Sequence, residues 1–90
     1  MIRREINVDF KIGIHSRPGA LLVKKVREYQ DHSIILIHGE KSAPANSLIG
    51  LLSLGVGEGS KIAIQVEGPR EDEVIEEVVE FFHQKVASEG

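Results

Sequence analysis

The stretch Gly13-Ile14-His15-Ser16-Arg17-Pro18-Gly19 carries the most chemistry in this sequence. A neutral imidazole nitrogen is a nucleophile. Phosphoryl transfer to it also needs positive charge to meet the phosphoryl oxygens. Proline is tolerated in a first helical turn, so Arg17-Pro18 reads as a helix start with Ser16 or His15 as its cap. His15 would then lie beside free backbone N–H groups and the positive end of a helix dipole. Arg17 adds a charge-assisted contact to phosphate oxygens, bidentate where the geometry allows. The dipole and the guanidinium both disfavour imidazolium, which keeps a ring with an ordinary pKa of about 6.5 neutral near neutrality. The flanking glycines permit close approach of a second protein surface. The same residues equally describe a histidine cap in an ordinary loop, and the chemistry alone leaves both readings open.

A second candidate is Ser47, which precedes the apolar run Leu48-Ile49-Gly50-Leu51-Leu52. Serine there is a preferred helix N-cap, as is Asn46. Around these two positions lie candidate docking groups. Arg17, Lys24 and Arg27 fall on one helical stripe, since seven residues make almost two turns of about 3.6 residues each. The bland alternative is a solvated face. Because the stripe starts beside His15 and Ser16, it suits steering of an acidic partner. Leu48, Ile49 and Leu52 form an apolar counterpart. Some must enter the core, with Ile49 and Leu52 left as candidates for a small exposed patch rimmed by charge, suited to a transient interface.

The elements that must position these groups follow from periodicity. Ile6, Val8 and Phe10 alternate with Asn7 and Asp9, which predicts a half-buried strand over 2–10. Ala20, Leu21, Val23, Val26 and Tyr29 give a helical period to about residue 29. Ser33 to His38 predicts a buried strand. His38-Gly39-Glu40 turns into a short strand expected to end before Pro44, since proline cannot donate to a central ladder. A short helix follows Ser47, closed by Gly55, Gly57 and Gly59. Ile62, Ile64 and Val66 alternate with Lys61, Ala63 and Gln65 as a further strand. After Gly68-Pro69, Glu71, Asp72 and Glu73 suit a helix N-terminus. Val74, Ile75, Val78, Phe81 and Phe82 give that helix one apolar face over three to four turns. This βαββαβα order predicts an α+β domain with helices on one face of a small sheet.

Composition sets outer limits. Ninety residues suit a single domain over 1–90. The absence of cysteine excludes disulfides and thiol chemistry. No apolar stretch reaches membrane-spanning length and no signal-peptide core follows Met1, so the expected location is cytoplasmic, without membrane insertion. A net charge of −3 with no Trp, three Phe and one Tyr disfavours an RNA-binding domain. The charge is uneven. Seven basic residues lie at or before Arg27, and seven acids against Lys85 alone lie from Glu71 onward.

The His15 segment resembles the active-site motif of the HPr family, phosphocarriers of the bacterial phosphotransferase system, in which Gly-Ile-His-Ala-Arg-Pro-Ala is typical. Ser16 and Gly19 stand here where the family has alanines. Both are small, although Gly19 weakens the helix by up to ~1 kcal/mol relative to alanine. Asn46-Ser47-Leu48-Ile49-Gly50-Leu51-Leu52-Ser53-Leu54-Gly55 resembles the family's regulatory-serine segment, and the following strand and acidic helix match in order. The stretch from Gly39 to Ser47 is about one residue longer than usual. The resemblance implies an open-faced β-sandwich, with a four-stranded antiparallel sheet of order 1-4-2-3 covered on one face by three helices. It implies that His15 accepts phosphate at Nδ1 from enzyme I, charged from phosphoenolpyruvate, and donates it to IIA domains of sugar permeases. Ser47 would be the serine modified by HPr kinase/phosphorylase. A relay of this kind has no substrate pocket, needs no cofactor and works as a monomer.

Two other readings are carried forward. One is a paralogue serving a nitrogen-type or dihydroxyacetone-kinase branch. The other is a regulatory binding module acting through Ser47, against which the His15–Arg17 pair argues. Gly55-Val56-Gly57-Glu58-Gly59 has a helix before it and a strand after it, the reverse of a dinucleotide-binding loop, and is read as a turn. His32, His38 and His83 lack metal-ligand spacing and are expected at the surface or at strand ends.

Overall fold

A computed structural model of the chain describes residues 1–8, 16–56 and 59–86, with the backbone alone for 16–18, 85 and 86. Four strands, β1 (Ile2–Val8), β2 (Ser33–His38), β3 (Lys41–Pro44) and β4 (Ser60–Glu67), form one sheet of order β1-β4-β2-β3. Every neighbouring pair is antiparallel. The register places Ile6 opposite Ile62, Leu36 opposite Ile64 and Ile34 opposite Val66. These residues and Val8 are buried on the face that the helices cover. Arg3, Glu5, Asn7 and Lys61 are exposed. Side chains alternate across a strand, so Ile6 and Val8 face inward and Arg3, Glu5 and Asn7 outward, while Arg4, opposite Ile64 on the inner face, is half-buried and pairs with Glu76.

Three helices, α1 (Ser16–Val26), α2 (Leu48–Ser53) and α3 (Glu71–Phe81), supply the other half of the core. From α1 come Leu22, Val23 and Val26, from α2 Leu51, and from α3 Val74, Ile75 and Val78. The chain continues beyond α3 in a wider π turn over Phe82–Val86, which sets Phe82 fully inside. The architecture matches the sheet order and helix placement that the resemblance implied.

Two boundaries differ from the sequence reading. Helix α1 stops at Val26 rather than about residue 29. Beyond it the bonds tighten, with Glu28 N–H donating to Lys25 O and Tyr29 N–H to Val26 O. Tyr29 keeps its place against the core in this tighter turn, so apolar spacing alone overstates the helix. Strand β3 includes Pro44 instead of ending before it, with Pro44 opposite Ile35. Proline fits because β3 is an edge strand, where no further ladder needs its missing donor. The β2–β3 hairpin closes tightly, His38 opposite Lys41, with Gly39 at φ 64 in the loop. Any extra residue between Gly39 and Ser47 therefore lies outside the hairpin loop. The expected end of the first strand at residue 10, and Gly57, lie outside the described residues.

Helix α2 is short, only six residues. A helix of that length does not persist alone in water. Its ends explain its presence. Ser47 caps the first turn, and Gly55 at φ 66 follows the C-cap, Leu54, in the left-handed conformation common just past a helix end. Between them Leu51 is fully buried.

Candidate functional site

The backbone of α1 becomes helical at Ser16, so His15 is the residue immediately before the helix in sequence. His15 itself lies outside the described residues. Ser16 and Arg17 occupy the first turn, which contains no acid. No acid of that turn competes with an arriving anion for the positive end of the helix. Gly19, one turn in, is buried, which suits a residue without a side chain.

Along the same helix Lys24 is exposed, and so is Arg27 just past its end. Lys25 behaves differently. Its ammonium sits 5.4 Å from the Tyr29 ring centroid and 5.6 Å from that of Phe81, and it also donates to Glu28 at 3.3 Å. The Tyr29 hydroxyl and the Glu28 carboxylate raise its pKa above the ordinary 10.5 despite partial burial. Among the described residues, the exposed basic stripe on this side is therefore Lys24 and Arg27, with Lys25 engaged elsewhere.

The second half of the candidate surface is α2 and its approach. Ser47 has extended backbone angles, φ −116 and ψ 111, and its Oγ accepts from Gly50 N–H at 3.1 Å. It is the N-cap the sequence predicted, and the carbonyl of Asn46 before it accepts from the Arg27 guanidinium at 3.5 Å. Ile49 is 83% exposed. Leu48 and Leu52 are half-buried, with Leu48 packed against the core. Leu51 takes the interior position instead. So α2 turns one leucine fully inward and presents one isoleucine fully outward.

Sequence reasoning missed three features of this region. Gly50 is one. A Cβ there would sit 3.0 Å from the Ala43 Cβ and 3.2 Å from the Ser47 Oγ, so α2 lies close against β3 and the cap depends on the absence of a side chain. His38 is the second. Its Nδ1 donates to the Leu54 carbonyl at 2.8 Å, tying the end of β2 to the end of α2. His32 is the third. One ring nitrogen donates to the Pro69 carbonyl, and the other is buried without a partner. Only the position of His38 at a strand end, next to Gly39, hinted at any of these in sequence. Exposed His83 matches its expected surface placement.

Among the described residues, no group of three His, Asp or Glu side chains is placed to hold a metal ion. No helix among them is long and apolar enough to cross a membrane.

Residues 2–84 match the protein-family model described as "PTS HPr component phosphorylation site". Among curated proteins, the chain is 33% identical over 85 residues to the HPr-like protein Crh of Halalkalibacterium halodurans, covering 94% of this chain and all of that one. It is also 33% identical over 84 residues to the phosphocarrier protein HPr of Vibrio cholerae, covering 93% of this chain and 98% of that one. Among solved structures, HPr from Thermoanaerobacter tengcongensis superposes with a TM-score of 0.84 at 31% identity, covering 96% of each chain.

Proposed function

The chain belongs to the HPr phosphocarrier family of the phosphotransferase system, and on that premise we propose that His15 accepts a phosphoryl group from phospho-enzyme I and passes it to IIA domains of sugar permeases. The observation that carries this reading is the start of α1. A histidine stands directly before a helix whose first turn holds Arg17 and no acid, within a match defined by a phosphorylation site. In each transfer the imidazole nitrogen forms a bond to phosphorus as the bond from phosphorus to the donor breaks. The return step reverses this toward the acceptor. The helix N–H groups and Arg17 meet the charge on the oxygens in both directions, so the chain works as a relay between proteins rather than on a substrate of its own.

Lys24, Arg27 and Ser16 form the polar side of the docking surface, and Ile49 with the exposed parts of Leu48 and Leu52 forms the apolar side. Both partners use the same surface, one at a time, in the cytoplasm. Ser47 is the regulatory position. A phosphoryl group on it, transferred from ATP by HPr kinase/phosphorylase, puts about two negative charges beside the apolar patch without displacing a helix whose N-terminus tolerates an anion.

The test is labelling with enzyme I and phosphoenolpyruvate. One phosphoryl group should be incorporated per chain, acid-labile and alkali-stable as a phosphoramidate is. His15→Ala should take up none, and label retained in that variant would sink the assignment. A second reading has one specific support, the similarity to HPr-like protein Crh. Under it the chain acts as a binding module through Ser47, and wild type would take up no label from enzyme I.

A further inference from the structure

Two parts of the candidate surface touch each other. Arg27 comes just after α1, and Asn46 just before Ser47. They face one another across a cleft of about 330 Å³ that His32 also lines. The Arg27 guanidinium donates to the Asn46 carbonyl at 3.5 Å, the outer limit of a hydrogen bond. Among the described residues, Arg4 pairs with Glu76, Arg70 with Glu73 and Lys61 with Glu5, whereas Arg27 has no carboxylate partner. Its fork of five N–H donors is thus held loosely against a neutral oxygen one peptide group away from Ser47.

We propose that Arg27 is the intramolecular counter-ion of a phosphoryl group on Ser47, closing onto it in place of the Asn46 carbonyl. This rests on the reading of Ser47 as a phosphorylated residue. A dianion with three acceptor oxygens is a far better partner for a guanidinium than a single carbonyl at the edge of bonding distance. Arg27 is exposed, so it can swing without disturbing the core. Phosphorylation then acts twice on the docking surface. It adds negative charge beside Ile49, and it withdraws Arg27 from the basic stripe that it shares with Lys24.

The pairing is tested with phosphoserine encoded directly at position 47, so that no kinase is needed. The probe is the midpoint of the second phosphate ionisation, followed by ³¹P NMR in the Arg27, Arg27→Lys and Arg27→Gln forms. An adjacent cation favours the dianion. The midpoint should therefore rise by about 0.5 in Arg27→Gln at low salt, and by less in Arg27→Lys, with the gap closing at high salt. His32 lines the same cleft, so the series is repeated in a His32→Gln background, where the Arg27 offset should persist. Circular dichroism checks that the exposed substitutions leave the fold intact. Equal midpoints in all three forms overturn the proposal, even if a kinase is found that modifies Ser47. An offset seen with encoded phosphoserine upholds the pairing, even if no kinase modifies the wild-type chain and the regulatory reading of Ser47 falls.

Discussion

Helices α1 and α3 have the same length, eleven residues, and start in opposite ways. The first turn of α3 is filled with Glu71, Asp72 and Glu73, and its N-cap, Arg70, makes no side-chain capping bond. The first turn of α1 has Ser16, Arg17 and Pro18 and no acid. In α3 the positive end of the dipole is answered from within the chain. In α1 no acid of the first turn answers it. Helix α2 is intermediate, with no acid but with one orphan N–H satisfied by the Ser47 Oγ. An anion site at a helix start is thus marked as much by the carboxylates that are missing as by the cations that are present.

The strongest way to break this contrast is to give α1 the character of α3. Arg17→Ala should leave the fold intact and slow phosphoryl transfer from enzyme I by roughly 10- to 1000-fold, as for loss of one positioned donor. Arg17→Glu should be slower still, because it adds a like charge as well as removing the guanidinium. Single-turnover transfer rates check both. A rate within twofold of wild type for Arg17→Ala would show that the open helix start alone suffices.

Substitution at Ser47 sharpens the intermediate case. Ser47→Asp should fold cooperatively, since an acid suits a helix N-terminus. It should accept phosphate more slowly, by a few-fold at low salt, because the new charge meets an acidic partner across a partly desolvated interface. Its effect should fall short of that of phosphoserine, which carries more charge. Ser47→Ala should transfer normally and lose about 1 kcal/mol of stability with the cap, lowering Tm by about 4–8 °C. Transfer by Ser47→Asp equal to wild type at low salt, where screening is least, would reduce Ser47 to a structural cap.

How legible these regions were in sequence follows the range of the interactions that make them. Strand β2 and the alternating half of β4 were readable because each is set by its own side chains. So was the Ser47 cap, whose partner Gly50 is three residues on. The order β1-β4-β2-β3 came only through the resemblance, because pairing Ile2 with Val66 has no local signature. The end of α1 was misplaced because Tyr29 stays on the apolar face after the helix has tightened into a turn. Pro44 was misjudged because edge or centre is a property of the sheet and not of the strand. The contacts of His38 with Leu54, His32 with Pro69 and Arg27 with Asn46 join residues distant in sequence and polar at both ends, and periodicity says nothing about such pairs.

The smallest expected effect comes from opening the closed helix start. Glu71 is the most engaged of the three acids in the first turn of α3. One carboxylate oxygen lies 2.6 Å from the Met1 amino group, and the other accepts from Gly68 N–H at 3.2 Å. The Met1 ammonium and then the Gly68 N–H hold its carboxyl below the ordinary 4.5. A carboxyl with a folded-state pKa below its unfolded value binds fewer protons in the folded state. Its contribution is therefore fully present above about pH 4.5 and fades as pH falls through the lower folded value. Glu71→Gln removes that dependence. The variant should be slightly less stable than wild type at neutral pH, and the two curves should converge in acid. The difference stays small because the ion pair lies near the surface and is screened. Urea melts of both proteins from pH 7 down to pH 3 provide the measurement. Parallel curves across the whole range would mean that the closed start of α3 owes nothing to the charge on Glu71. The contrast with α1 would then rest on hydrogen bonding and not on which helix start carries the acids.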